Sequence, residues 1–113
     1  MSEDKKSYVE RNSASYTSSS QQRILKLLIA LAGNEFTGLL PSELARGTKT
    51  SASNVTRDLQ NLKVAGLAEE IPDANGRWRL GPKIVQIAIA HLNCRDRAKS
   101  RIDELNQRYS RTI

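Results

Sequence analysis

The spacing of apolar residues changes twice along this chain, and the places where it changes leave few folds open. From Ile24 to Leu62 aliphatic residues recur at helical intervals, from Leu67 to Leu80 they alternate, and from Ile84 the helical interval returns. With 113 residues and 12.6 kDa there is room for one small core and a tail. The frame predicted is three helices, a β-hairpin and a final helix.

Start and stop signals place the helices. Ser19 precedes Gln22 by a capping-box spacing, and Ile24, Leu27, Leu28 and Leu31 follow at i, i+3, i+4 and i+7, predicting an amphipathic helix that ends near Gly33. Asn34 to Gly38 forms a turn carrying Phe36. Leu40 and Pro41 introduce a short helix, Ser42 to Arg46, which Gly47 stops. After the polar turn Thr48-Lys49-Thr50, Ser51 caps a third helix with Val55, Leu59 and Leu62 on one side and Ala65-Gly66 at its end.

Leu67 to Ile71 and Arg77 to Leu80 flank Pro72-Asp73-Ala74-Asn75-Gly76, where Asn-Gly supplies the positive backbone angles of a hairpin turn. Trp78 and Leu80 share one face of the second strand. Arg77 and Arg79 share the other, so the ring covers the core and the guanidinium groups stay in water. Gly81-Pro82 then opens a helix carrying Ile84, Ile87, Ala88 and Leu92. A thinner stripe, Ala98, Ile102, Leu105 and Tyr109, continues at alternating four and three spacing. One helix through residues 82–110 and two helices meeting near Ser100 both satisfy this pattern, because Ser100 to Asp103 also fits a capping box.

Composition narrows the function. Lys and Arg total 18 against 12 Asp and Glu, a formal charge of +6 and a pI near 9.8. That bias favours polyanions, nucleic acid ahead of anionic membrane. A single Cys excludes an internal disulfide, and with one His it cannot fill a structural zinc site, so neither metal nor cofactor is expected. The longest apolar run, Leu27 to Ala32, is far short of the roughly 20 residues that span a bilayer. The N-terminus has no apolar segment of the secretory kind, which leaves the cytoplasm. Residues 1–20 hold seven Ser and almost no aliphatic residues, as expected of a disordered tail. Lys5, Lys6 and Arg11 offer the alternative of an arm on phosphates.

Helix, short helix, turn, helix and hairpin is the order of a winged helix-turn-helix, here residues 21–81, mainly α with a two-stranded β-hairpin and followed by a C-terminal helix. In that fold the third helix, about residues 51–64, enters the major groove of double-stranded DNA, and the wing, about residues 68–80, lies on the backbone. With Val55, Leu59 and Leu62 inward, a rotation of about 100° per residue turns Ser53, Asn54, Arg57, Gln60 and Asn61 outward. That set contains no acid, and Asp58 lies at a flank of the buried stripe. Arg57 can pair with guanine and Asn54 with adenine, so these two are the expected base readers. Lys49, Thr50, Ser51 and Ser53, at the helix N-terminus, suit phosphate contacts. Asn75, Arg77 and Arg79 are the candidates on the wing.

Catalysis is not expected. His91 and Cys94 are helix neighbours with no third orienting group and no phosphate loop. The rival function is a winged helix that binds an acidic protein partner, which differs from DNA binding in its salt dependence.

Four segments, Ser42-Glu43-Leu44-Ala45, Ser53-Asn54-Val55-Thr56-Arg57-Asp58-Leu59, Leu62-Lys63-Val64-Ala65-Gly66-Leu67 and Arg79-Leu80-Gly81-Pro82-Lys83-Ile84, resemble the N-terminal DNA-binding domain of IclR-family transcriptional regulators. The likeness spans about residues 20–92, and the segment from Arg79 to Lys83 is its most distinctive piece. It implies DNA contacts by Ser53, Asn54, Thr56 and Arg57, and homodimers on palindromic operators. Asp58 stands where the family usually has an apolar or neutral residue, which implies narrowed or shifted recognition. The family joins this domain to a larger effector-binding domain. About 20 residues follow Leu92 here, so no small-molecule effector domain is expected in this chain. Ile102, Leu105 and Tyr109 lack an obvious core of their own, which points to a homodimer through residues 84–109 or to a helix folded back on its domain.

Overall fold

The computed structural model describes residues 15–111. Its elements are α1 (Ser19–Ala30), α2 (Pro41–Thr48), α3 (Ala52–Val64), β1 (Ala68–Glu70), β2 (Trp78–Leu80) and α4 (Pro82–Ser110). This is the winged helix-turn-helix with a C-terminal helix that the changes of period predict.

The helix ends follow local chemistry, with two shifts. The cap of α1 is Ser18, whose hydroxyl accepts the Gln21 N–H at 3.4 Å. Ser19 and Ser20, expected in the tail, are therefore helical; residues 1–14 of that tail, with Lys5, Lys6 and Arg11, lie outside the described residues. The second shift is at α2, which continues through Gly47 and turns at Lys49, a left-handed residue with φ 57°. The last carbonyls explain why: the Thr50 N–H reaches Ala45 O at 3.0 Å and the Thr48 hydroxyl reaches Leu44 O at 2.6 Å, so the final turn is closed without glycine. α3 starts as expected, the Ser51 hydroxyl accepting the Asn54 N–H at 3.2 Å.

α1, α2 and α3 pack on one another around Leu27, Leu31, Leu44, Val55, Leu59 and Leu62. Ala68 and Trp78 close this core from the hairpin. β1 and β2 pair antiparallel with Ala68 opposite Leu80, Glu69 opposite Arg79 and Glu70 opposite Trp78. Asn75 and Gly76 have the positive φ that Asn-Gly was expected to supply, and Asp73 shares it. A bridge not visible in the sequence extends the sheet: Leu39 donates to Trp78 O at 2.9 Å and accepts from Trp78 N–H at 2.8 Å. One bridging residue has no periodicity, so the stretch before α2 showed only as a turn.

α4 is one continuous helix with Pro82 in its first turn, which decides between the one-helix and two-helix alternatives. None of its residues is buried, and Ile102, Leu105 and Tyr109 are exposed rather than folded back on the domain.

Candidate nucleic-acid interface

α3 divides its side chains by burial. Val55, Asp58, Leu59 and Leu62 are buried, while Ser53, Thr56, Arg57, Gln60 and Asn61 are exposed and Asn54 is half-buried. Neither Arg57 nor Gln60 makes a side-chain hydrogen bond or ion pair among the described residues. The other polar groups on this face are partly engaged with their own helix. Asn54 Nδ2 donates to Thr50 Oγ1 at 3.3 Å, Thr56 Oγ1 to Ala52 O at 3.0 Å, and Asn61 Nδ2 to Arg57 O at 2.9 Å. These bonds occupy donors and leave the Asn54 and Asn61 amide oxygens as acceptors.

Around the N-terminus of α3, Lys49 and Ser51 are exposed and Thr50 is half-buried. The Ser51 and Ser53 hydroxyls lie 3.2 Å apart, and no acid occupies the first turn. Positive helix-end potential and hydroxyl donors thus meet at one place, a chemistry suited to an anion.

On the wing, Arg77 and Arg79 do not stand free in water as expected. Arg79 Nε donates to Glu69 Oε1 at 2.8 Å, because the strand register sets the two residues opposite each other. Arg77 Nη1 lies 3.4 Å from both Gly38 O and Glu43 Oε1, which the Leu39–Trp78 bridge brings beside the wing. Both ion pairs are partly exposed, so each holds its arginine by little. Asn75 stands exposed in the turn. Lys63 links α3 to the wing, with Nζ 3.2 Å from Glu70 Oε1 and 5.9 Å from the centre of the Trp78 ring.

A pair that local spacing did not bring together lies behind this face. Arg23 of α1 donates from Nε to Asp58 Oδ2 at 2.7 Å and from Nη2 to Asp58 Oδ1 at 2.9 Å. The hydrogen bond to Asp58, opposed by desolvation and aided by the carboxylate charge, holds the Arg23 guanidinium above its ordinary pKa. Asp58 therefore spends its charge inside the protein. The signal available in the sequence was an acid at the edge of an apolar stripe, a place where a carboxylate is kept only with a partner.

No family model matches the chain, and no curated protein matches it. Solved structures do. HmgR of Pseudomonas aeruginosa superposes with a TM-score of 0.53 at 31% identity, over 68% of this chain. The chain spans 31% of HmgR's length. A single-residue mutant of S. aureus MepR superposes with a TM-score of 0.50 at 17% identity, over 96% of this chain and 83% of that one.

Proposed function

We propose that this chain is a sequence-specific regulator of transcription that lays α3 in the major groove of double-stranded DNA and rests its wing on the adjoining backbone. The observation that carries this function is Arg57, exposed and unpaired among the described residues, at the centre of a polar helix face that contains no acid. Arg57 and Asn54 read base edges, with Thr56, Gln60 and Asn61 beside them. Lys49, Thr50, Ser51 and Ser53 hold a phosphate at the helix N-terminus, and Asn75, Arg77 and Arg79 meet the backbone from the wing. The winged-helix fold shared with HmgR supports the regulator role, and the segments from Ser53 to Leu59 and from Arg79 to Ile84, which resemble IclR-family regulators, are what favour an IclR-like DNA-binding domain.

α4 supplies the symmetry. Its exposed Ile102, Leu105 and Tyr109 suit a homodimer through residues 84–109. Two copies of α3 then lie about 34 Å apart, one turn of duplex, or a multiple of that, on a palindromic site. No helix among the described residues is long and apolar enough to cross a membrane, and we place the protein on DNA in the cytoplasm. No catalytic step, metal or cofactor belongs to this function.

The ion pairs of Arg77 with Glu43 and of Arg79 with Glu69 favour the second reading, a winged helix that binds protein, because they reduce the charge offered to phosphate. Selection from a random duplex pool, followed by fluorescence anisotropy at about 50 mM salt, separates the two. A regulator enriches a palindrome and loses affinity steeply as salt rises. Absence of duplex binding at low salt sets the DNA function aside in favour of a protein partner.

A further inference from the structure

Among the described residues Asp58 is the one buried charged side chain, 4% exposed on a helix whose other buried residues are Val55, Leu59 and Leu62. Each carboxylate oxygen accepts one bond from Arg23, at 2.7 Å and 2.9 Å. Aliphatic contacts are less directional than a paired fork, so the three apolar residues restrain rotation of α3 about its axis less sharply. A planar guanidinium and a planar carboxylate joined by two bonds are in register over a much narrower range of angles.

Asp58 lies four residues after Asn54 and three before Asn61, so it is the helix-surface neighbour of both. Turning α3 by about 20° would carry side-chain ends about 5 Å from the axis through about 2 Å, enough to break a hydrogen bond to a base edge. Asp58 is buried while the Arg23 side chain is 30% exposed, and ion pairs with a buried member replaced by apolar residues of similar volume often leave stability unchanged or raised. Orientation is thus the property in which this pair differs from an apolar contact.

We propose that Arg23 and Asp58 are positioning residues: without touching DNA, they set the rotational phase of α3 and with it the sequence discrimination of Asn54, Arg57 and Asn61. This rests on the placement of α3 in the major groove. It also assigns the Asp58 charge to the interior, where it sets an angle and repels no base.

The test uses the full chain and two duplexes, the one most enriched by the wild type from a random pool and a scrambled duplex of the same composition. The apolar double variant Arg23→Met/Asp58→Leu is expected to unfold at a temperature no lower than the wild type and to bind the scrambled duplex within about twofold, while its preference for the selected duplex falls by about tenfold or more. Arg23→Lys keeps the charge but loses the fork, and is expected to lose about threefold or more of that preference. A preference kept within about twofold in the folded double variant, or in Arg23→Lys should the double variant not fold, overturns the proposal. So does a parallel loss of affinity for both duplexes, which would mark the pair as structural only. A wild type that binds neither duplex overturns the DNA function first and this inference with it, whereas a discriminating wild type with equally discriminating variants overturns the inference alone.

Discussion

Gly81 lies directly against the carbonyl of Gly66. A Cβ on Gly81 would fall on that oxygen and 2.9 Å from Ala68 N, while Gly81 N–H donates to Leu67 O at 2.9 Å and Gly66 O accepts the Lys83 N–H at 3.0 Å. The end of α3, the root of the hairpin and the start of α4 therefore converge where there is no room for a side chain.

Gly81→Ala is accordingly expected to destabilise the domain by about 1–3 kcal/mol through overpacking, read as a lower midpoint in thermal unfolding. Gly47→Ala is the contrasting case, because Gly47 is helical and nothing lies within 4 Å of an added Cβ. It is expected to stabilise by about 0.5–1 kcal/mol. Equal effects of the two substitutions would contradict this account of the junction.

Trp78 is 5% exposed, seals the core from the wing and pairs with Leu39. Trp78→Ala is expected to cost about 3–5 kcal/mol in denaturant unfolding, since it removes a large buried ring and leaves a cavity. A loss under about 1 kcal/mol would mean that the wing does not depend on this anchor.

Arg57→Ala should relax sequence preference, at a cost of about 1–3 kcal/mol at one base pair of the selected duplex. Its unfolding midpoint should stay near that of the wild type, because Arg57 is exposed and makes no side-chain bond among the described residues. Competition binding against duplexes altered one position at a time reads both the size and the place of the effect.

Lys49→Ala and Arg79→Ala are expected to weaken all duplexes alike. Each should reduce the slope of log affinity against log salt by about 1 if the residue neutralises one phosphate. For Arg79 this requires exchange of Glu69 for phosphate, so Glu69→Gln should tighten binding without changing sequence preference. Salt titrations of the three variants measure this directly.

Truncation after Leu92 removes Ile102, Leu105 and Tyr109 from α4, which buries none of its residues in the domain. The shortened chain is expected to sediment as a monomer and to stay folded, with an unfolding midpoint that no longer depends on protein concentration. An unchanged mass relative to the full chain would exclude a dimer role for this segment.

Residues up to four apart carried most of the fold. Ser51 caps α3 by bonding three residues ahead, Asn75 and Gly76 take the positive φ that asparagine tolerates and that glycine, lacking a Cβ, adopts freely, and the spacing of Val55, Leu59 and Leu62 assigns one face of α3 to the core. Arg57 could be placed on the opposite face by the same arithmetic. Contacts across long stretches of chain were another matter. Asp58 meets Arg23 across 35 residues because α1 packs on α3, and Arg77 meets Glu43 across 34 because the bridge from Leu39 to Trp78 docks the wing beside α2. No local periodicity encodes such meetings: a charged side chain is oriented by whatever partner the folded core sets beside it, and that partner comes from another element.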